Sequence, residues 1–182
     1  MIQVENRPMN ENSVTVLFPP PIVPLIDAFR SLEVLAEHYD LHVLEGPEED
    51  LARFMEPSAA KAVISDAMLL AFALGRQRGE PLVHCPLRSR KGSADEYCIF
   101  TLIAAAREPD TGLALEAAAT LRVISFEFVF AMATDLLRRM DRGGFVLERP
   151  SLHEFRAIVG EGELFEQSIE PIGTEATFRF HH

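Results

Sequence analysis

The sequence predicts an α/β fold: a mostly parallel sheet flanked by helices, a Rossmann-like or flavodoxin-like three-layer arrangement, with a helix-rich second half. Three observations predict it. Short apolar runs at 14–18, 41–44, 62–64 and 81–85 have the length and residue types of buried strands. Stretches with helical spacing separate them, and strands alternating with helices indicate a parallel sheet covered on both faces. The chain has 182 residues, 48% of them hydrophobic, enough for one domain with a sizeable core.

In order, residues 1–13 are polar and are expected to form a loose arm, with a single domain over 14–182. Val14–Phe18 reads as the first strand, ended by Pro19, Pro20 and Pro21. From Ile22 to His38 the spacing of Ile22, Leu25, Ile26, Phe29, Leu32 and Leu35 predicts a helix. Leu41–Leu44 reads as the second strand, stopped by Gly46 and Pro47. Glu48, Glu49 and Asp50 suit the positive end of a short helix that runs to about Met55. Ala62–Ile64 reads as a third strand and Asp66 as the cap of a helix from Met68 to Gln77. Pro81–Cys85 reads as a fourth strand, and 86–92 as a loop.

Ser93 and Glu96 make a capping box for an apolar helix over 97–107. Pro109–Gly112 is a break. Residues 113–140 carry Ala117, Leu121, Ile124, Phe128, Met132, Leu136 and Met140 at steps of three or four, which predicts helix with room for one break. The competing signal is the strand propensity of 122–130. If the helix forms, the stripe through Phe128 is expected to be buried. Gly143 and Gly144 end the segment. A strand at 145–147, a helix at 152–159 and an alternating strand at 176–180 complete the expectation.

Composition restricts function. The net charge is −11, which argues against nucleic acid and against an acidic membrane surface, both of which need a basic face. Two cysteines, Cys85 and Cys98, are too few for a disulfide scaffold, and no Cys/His spacing reads as a metal site. No signal-peptide core and no uncharged apolar run of membrane length is present, so the expected place is the cytoplasm with reduced thiols. No cofactor motif is found. His181 and His182 are given no functional weight.

The most informative local feature follows Cys85. Arg76, Arg78, Arg88, Arg90 and Lys91 fall within sixteen positions of an otherwise acidic chain. The loop leads into the capped helix, so Arg88, Ser89, Arg90, Lys91, Gly92 and Ser93 are the expected ligand-binding residues, for a small anion. Against this, Asp95 and Glu96 already complement the helix dipole. A solvated basic turn is the other reading.

A thiolate at Cys85 would be stabilised by the same charges, with Asp66 as a candidate acid or base across the crevice. The run Cys85-Pro86-Leu87-Arg88-Ser89-Arg90 resembles the active loop of rhodanese-type sulfurtransferases. His84-Cys85, followed by Arg, Gly92 and Ser93, resembles the loop of protein tyrosine phosphatases. The phosphatase spacing falls on Lys91 in place of Arg, and Pro86 removes one amide of the expected cradle. A packed apolar cysteine at a strand end is the alternative. The first 65 residues are similar in pattern to the substrate domain of D-2-hydroxyacid dehydrogenases, but no GxGxxG exists to form a nicotinamide domain. Residues 99–133 resemble the second half of phosphotransferase-system IIA domains, with His84 as the one candidate for a phosphorylated histidine.

The sequence thus supports a small α/β module that binds a small anion or a protein partner without catalysis, with pairing of copies an open reading. The alternative is a cysteine-dependent enzyme of sulfur or phosphoryl transfer.

Overall fold

The computed structural model describes residues 15–108 and 112–160. Helices dominate them, and the parallel sheet expected from the sequence is not there. The elements run β1 (Val16–Leu17), α1 (Val23–His38), α2 (Glu45–Leu51), α3 (Pro57–Gln77), β2 (Lys91–Gly92), α4 (Ala94–Ala105), α5 (Gly112–Thr120), α6 (Phe126–Arg142) and α7 (Leu152–Val159). The ladder between β1 and β2 is antiparallel, with Val16 opposite Gly92 and Leu17 opposite Lys91. It continues through the amide of Phe18, which donates to the Arg90 carbonyl at 2.8 Å.

The expected strand at 62–64 lies inside α3. Ala60, Val63, Ile64, Ala67, Met68, Ala71 and Leu74 are buried at helical spacing. The carboxylate of Glu56 accepts the amide of Ala59, and Pro57 occupies the first turn, where its missing N–H costs nothing. The β-branched pair costs a few tenths of a kcal/mol in helix propensity. Burial of each side chain contributes about 1.5–3 kcal/mol and decides the matter. Asp66 is therefore a mid-helix residue and not a cap. By length and hydropathy α3 could cross a membrane, but half of its apolar window is buried against its neighbours.

The other expected strands fail for want of a partner. Leu41–Leu44 winds into a 3-10 turn because the Asp40 carboxylate accepts the amide of His42 at 3.0 Å. The turn runs straight into α2, whose first residues include Gly46 and Pro47, and Leu41 is left 70% exposed. Residues 81–85 form no strand, and the amides of Val83 and Cys85 go to side chains. Phe145 and Leu147 are buried and Val146 is exposed, the alternation of a strand with no neighbour to pair with among the described residues. The expected strand at 176–180 and the arm at 1–13 lie outside the described residues.

Other expectations hold. α1 forms as its spacing predicts, and its stretch from Val23 to Ser31 is buried all round. Ser93 and Glu96 form both halves of the expected capping box on α4, and α7 forms where a helix is expected, with a capping box of Ser151 and Glu154 that the sequence reading does not include. The 113–140 segment is helical with one break. Arg122 adopts a left-handed backbone (φ 57°), and the amide of Val123 reaches back to the Ala118 carbonyl. That break changes the phase of the stripe. Ala117 and Leu121 are buried, but Ile124 is 85% and Phe128 56% exposed. The face of α6 that enters the core is Val129, Ala133, Leu136, Leu137 and Met140.

α3 packs on α1, α2 and α6, and α4 packs on α5, α6 and α7, around one continuous apolar core. Between α3 and α4 the chain from Arg78 to Ser93 has no helix and only the two residues of β2, and it meets α1 at Asp27 and Arg30 and the first turn of α4 at Asp95 and Glu96. That long connection carries Arg78, Arg88, Arg90 and Lys91 of the basic cluster, while Arg76 lies in the last turn of α3.

Candidate functional site

A buried arginine holds the connection in place. Arg30, on α1, donates through Nε to Glu96 Oε1 (2.7 Å) and through Nη1 to Asp27 Oδ1 and the Ser89 carbonyl (both 2.9 Å). Its Nη2 donates to the Lys91 carbonyl (2.8 Å) and to Glu96 Oε2 (3.0 Å). A guanidinium has five N–H groups, and these five bonds use all of them. Arg30, Asp27 and Glu96 are almost wholly buried, so the group is saturated and desolvated together.

Glu96 is the other hub. Besides Arg30 it accepts the amides of Cys85 (3.0 Å) and Ser93 (2.9 Å), and His84 Nδ1 lies 3.4 Å from its Oε1. Burial would raise its carboxyl. The bonds from His84, Arg30 and Ser93 outweigh that and hold it down at about 2. Asp27 accepts the amide of Arg88 through both oxygens (3.1 and 3.0 Å). For Asp27 burial wins over those bonds, and its carboxyl is pushed above the ordinary range. One guanidinium serves two acids, and Glu96 takes the bidentate share.

A second tie lies one residue before Glu96. Asp95 accepts from Arg78 Nη2 (3.1 Å) and from the amide of Val83 (2.9 Å), while Arg78 Nη1 donates to the Leu121 carbonyl (2.8 Å). The two acids in the first turn of α4 thus fasten the connection to the bundle.

The same fastening presents Arg88 and Arg90. Held through its amide by Asp27, Arg88 adopts a left-handed backbone (φ 62°), unfavourable for a residue with a side chain. Its side chain leaves the network and turns to solvent, with Nε 3.7 Å from Asp50. Arg53, just beyond α2, meets the same Asp50 carboxylate at 3.3 Å. Arg90 donates Nε to the Phe18 carbonyl (3.2 Å), which fixes its guanidinium at the base of β1. These three arginines, Asp50, and an apolar wall of Pro20, Val23, Pro24 and Phe54 line one open cleft of about 380 Å³.

The residues singled out in the sequence separate. Arg88 and Arg90 line the cleft. The Ser89 carbonyl accepts from Arg30 and its hydroxyl oxygen accepts the amide of Lys91, and the Lys91 carbonyl also accepts from Arg30. Gly92 leaves room for Phe18: a Cβ there would lie 2.2 Å from that ring. The Ser93 hydroxyl caps α4 and donates to the Val83 carbonyl. Arg78 is in the Asp95 tie. Asp66, on α3, pairs with Arg139 of α6.

Cys85 is 5% exposed, and burial together with the nearby Glu96 carboxylate pushes its thiol up, against a smaller pull from Arg30 and Lys91. Cys98, inside α4, is pushed up to about 12 by burial and Asp95, against Arg78. Arg53 has no signal in the sequence, since its place in the cleft comes from the packing of α2 on α1. Among the described residues no three or more His, Cys, Asp or Glu side chains gather in a way that could hold a metal ion. No protein-family model, no curated protein and no solved structure matches this chain.

Proposed function

We propose that this chain is a binding module for a small anion, held between Arg53, Arg88 and Arg90, without catalysis of its own. The observation that carries the reading is the charge of the cleft: three guanidinium groups line it with one carboxylate, on a chain whose net charge is −11. Elsewhere on the connection acids outnumber or match the arginines they meet. An excess of fixed positive charge beside a desolvating apolar wall favours an anion.

The enzyme reading at Cys85 has weaker support. A nucleophile needs an exposed thiolate. Cys85 is buried, its amide is spent on Glu96, and the carboxylate beside it opposes ionisation.

Titration of the full chain with inorganic phosphate at low ionic strength, followed by amide shifts, tests the proposal. The expected result is saturable movement at Arg53, Arg88 and Arg90, weakened by salt as exposed charge pairs are. Millimolar phosphate that leaves those amides unmoved would reject it.

A further inference from the structure

We infer that the ligand of this cleft is the phosphate monoester of a small, ring-bearing alcohol or phenol; the inference rests on the anion-binding reading above. The cleft supplies three positive charges and one negative. The surplus of two matches a phosphate monoester dianion, whereas a carboxylate or a sulfate ester would leave one charge over. Guanidinium forks fit the oxygens of phosphate in pairs, and a buried clamp pre-orders the loop that carries two of them.

Charge alone does not fill the space. A bare phosphate occupies at most about five water-sized groups, roughly 150 Å³, less than half of the 380 Å³ cleft. The remainder is walled by Pro20, Val23, Pro24 and Phe54. The prolines restrict the backbone of that wall, and Phe54, 45% exposed, supplies aromatic surface for stacking. An apolar wall of four residues suits one ring, and arginines at its border can also lie on that ring's face. The volume falls in the range of small-molecule sites.

Calorimetry on the full chain with phenyl phosphate, inorganic phosphate and phenyl sulfate tests the inference. Phenyl phosphate is expected to bind about tenfold tighter than either of the others, the gain of one ring contact over phosphate and of one charge over sulfate. Phe54→Ala should remove the advantage of phenyl phosphate over inorganic phosphate, so that the two bind alike. Phe54→Tyr should keep the advantage, which separates loss of the ring from loss of the fold. If inorganic phosphate binds and phenyl phosphate binds no tighter, the ring inference fails and the anion site stands. If no phosphate compound binds, the anion reading itself fails. A phosphotyrosine peptide that binds more than about tenfold tighter than phenyl phosphate would overturn the small-molecule assignment in favour of a protein ligand.

Discussion

The clamp around Arg30 and the cleft around Arg88 are built from the same residue types, meet the same connection a few positions apart, and behave in opposite ways. In the clamp two carboxylates and two carbonyls surround one guanidinium, and every N–H is used. In the cleft one carboxylate stands against three guanidiniums, two of them in solvent. Burial enforces the first arrangement, because an uncompensated charge inside the protein costs several kcal/mol. Exposure permits the second, because water screens what the protein leaves unmatched. The arginine that holds the fold and the arginines proposed to bind an anion therefore differ in the stoichiometry of their partners, not in sequence neighbourhood. The contrast can be broken most directly at Arg30. Arg30→Ala leaves Glu96 and Asp27 buried without their counter-ion, and urea denaturation should show a loss of about 3–5 kcal/mol. Arg30→Lys should recover little, since an ammonium has three donors and no fork. A loss under about 1 kcal/mol would mean that the clamp does not hold the connection.

Gly92 tests the same region without touching charge. Its missing side chain is the space taken by the Phe18 ring. Gly92→Ala forces that buried ring aside, and overpacking of this kind costs about 1–3 kcal/mol. Thermal melting of the variant checks it. Phosphate affinity should fall along with stability here, because β2 positions Arg90 against Phe18.

Acid separates the two carboxylates of the clamp. Glu96 is lowered from 4.5 to about 2 on folding, so its contribution is complete above 4.5 and is lost as pH falls toward 2. Asp27 is raised. The folded state holds that proton more tightly, so Asp27 favours folding at low pH and opposes it as pH rises through its folded value. The two partly cancel. Glu96→Gln should flatten the fall in melting temperature between about pH 4.5 and pH 2.5, and Asp27→Asn should steepen it. Equal profiles for both variants would show that Arg30 does not divide its bonds unequally between them.

How much of this was legible in the sequence follows from what each signal measures. Capping is local, so Ser93 with Glu96 is read directly; the helix at Leu152–Val159 is expected too, but its Ser151–Glu154 box is not among the sequence expectations. Strand propensity is not local in the same way, because a strand exists only where a neighbour takes its hydrogen bonds. Val63-Ile64 and Leu41–Leu44 have strand-like residues and no such neighbour. The helical spacing from Ala60 to Leu74, with Glu56 and Pro57 ahead of it, was the stronger signal, in a helix of 21 residues. In 113–140 the periodicity is sound, but one left-handed residue, Arg122, shifts its phase and moves Phe128 outward. At the site the basic cluster was visible, yet nothing in it distinguishes Arg78, tied to Asp95, from Arg88. Asp27 and Arg30 sit in an apolar helix, 59 to 61 residues away from the loop positions they hold, and Arg53 reaches the cleft only through tertiary packing.

The smallest effect on stability belongs to Arg88, and it divides fold from function most cleanly. The left-handed backbone at Arg88 costs roughly 1 kcal/mol for any residue with a Cβ. Glycine would remove that strain, though it adds disorder to the unfolded chain worth about 0.5–1 kcal/mol. The amide that Asp27 accepts is the same in both. Removing the side chain gives up its pairing with Asp50, which is exposed and 3.7 Å long and so worth little in water. Arg88→Gly should therefore change the unfolding free energy by less than about 0.5 kcal/mol. The same variant removes one of three guanidiniums from the cleft, and a charge-assisted bond of about 1.5–3 kcal/mol corresponds to a loss of tenfold or more in phosphate affinity. Paired measurements of urea unfolding and phosphate binding decide it. A variant that binds phosphate as the parent does would remove Arg88 from the site. One that unfolds more than about 1 kcal/mol more easily would place Arg88 with Arg30, as a support of the fold.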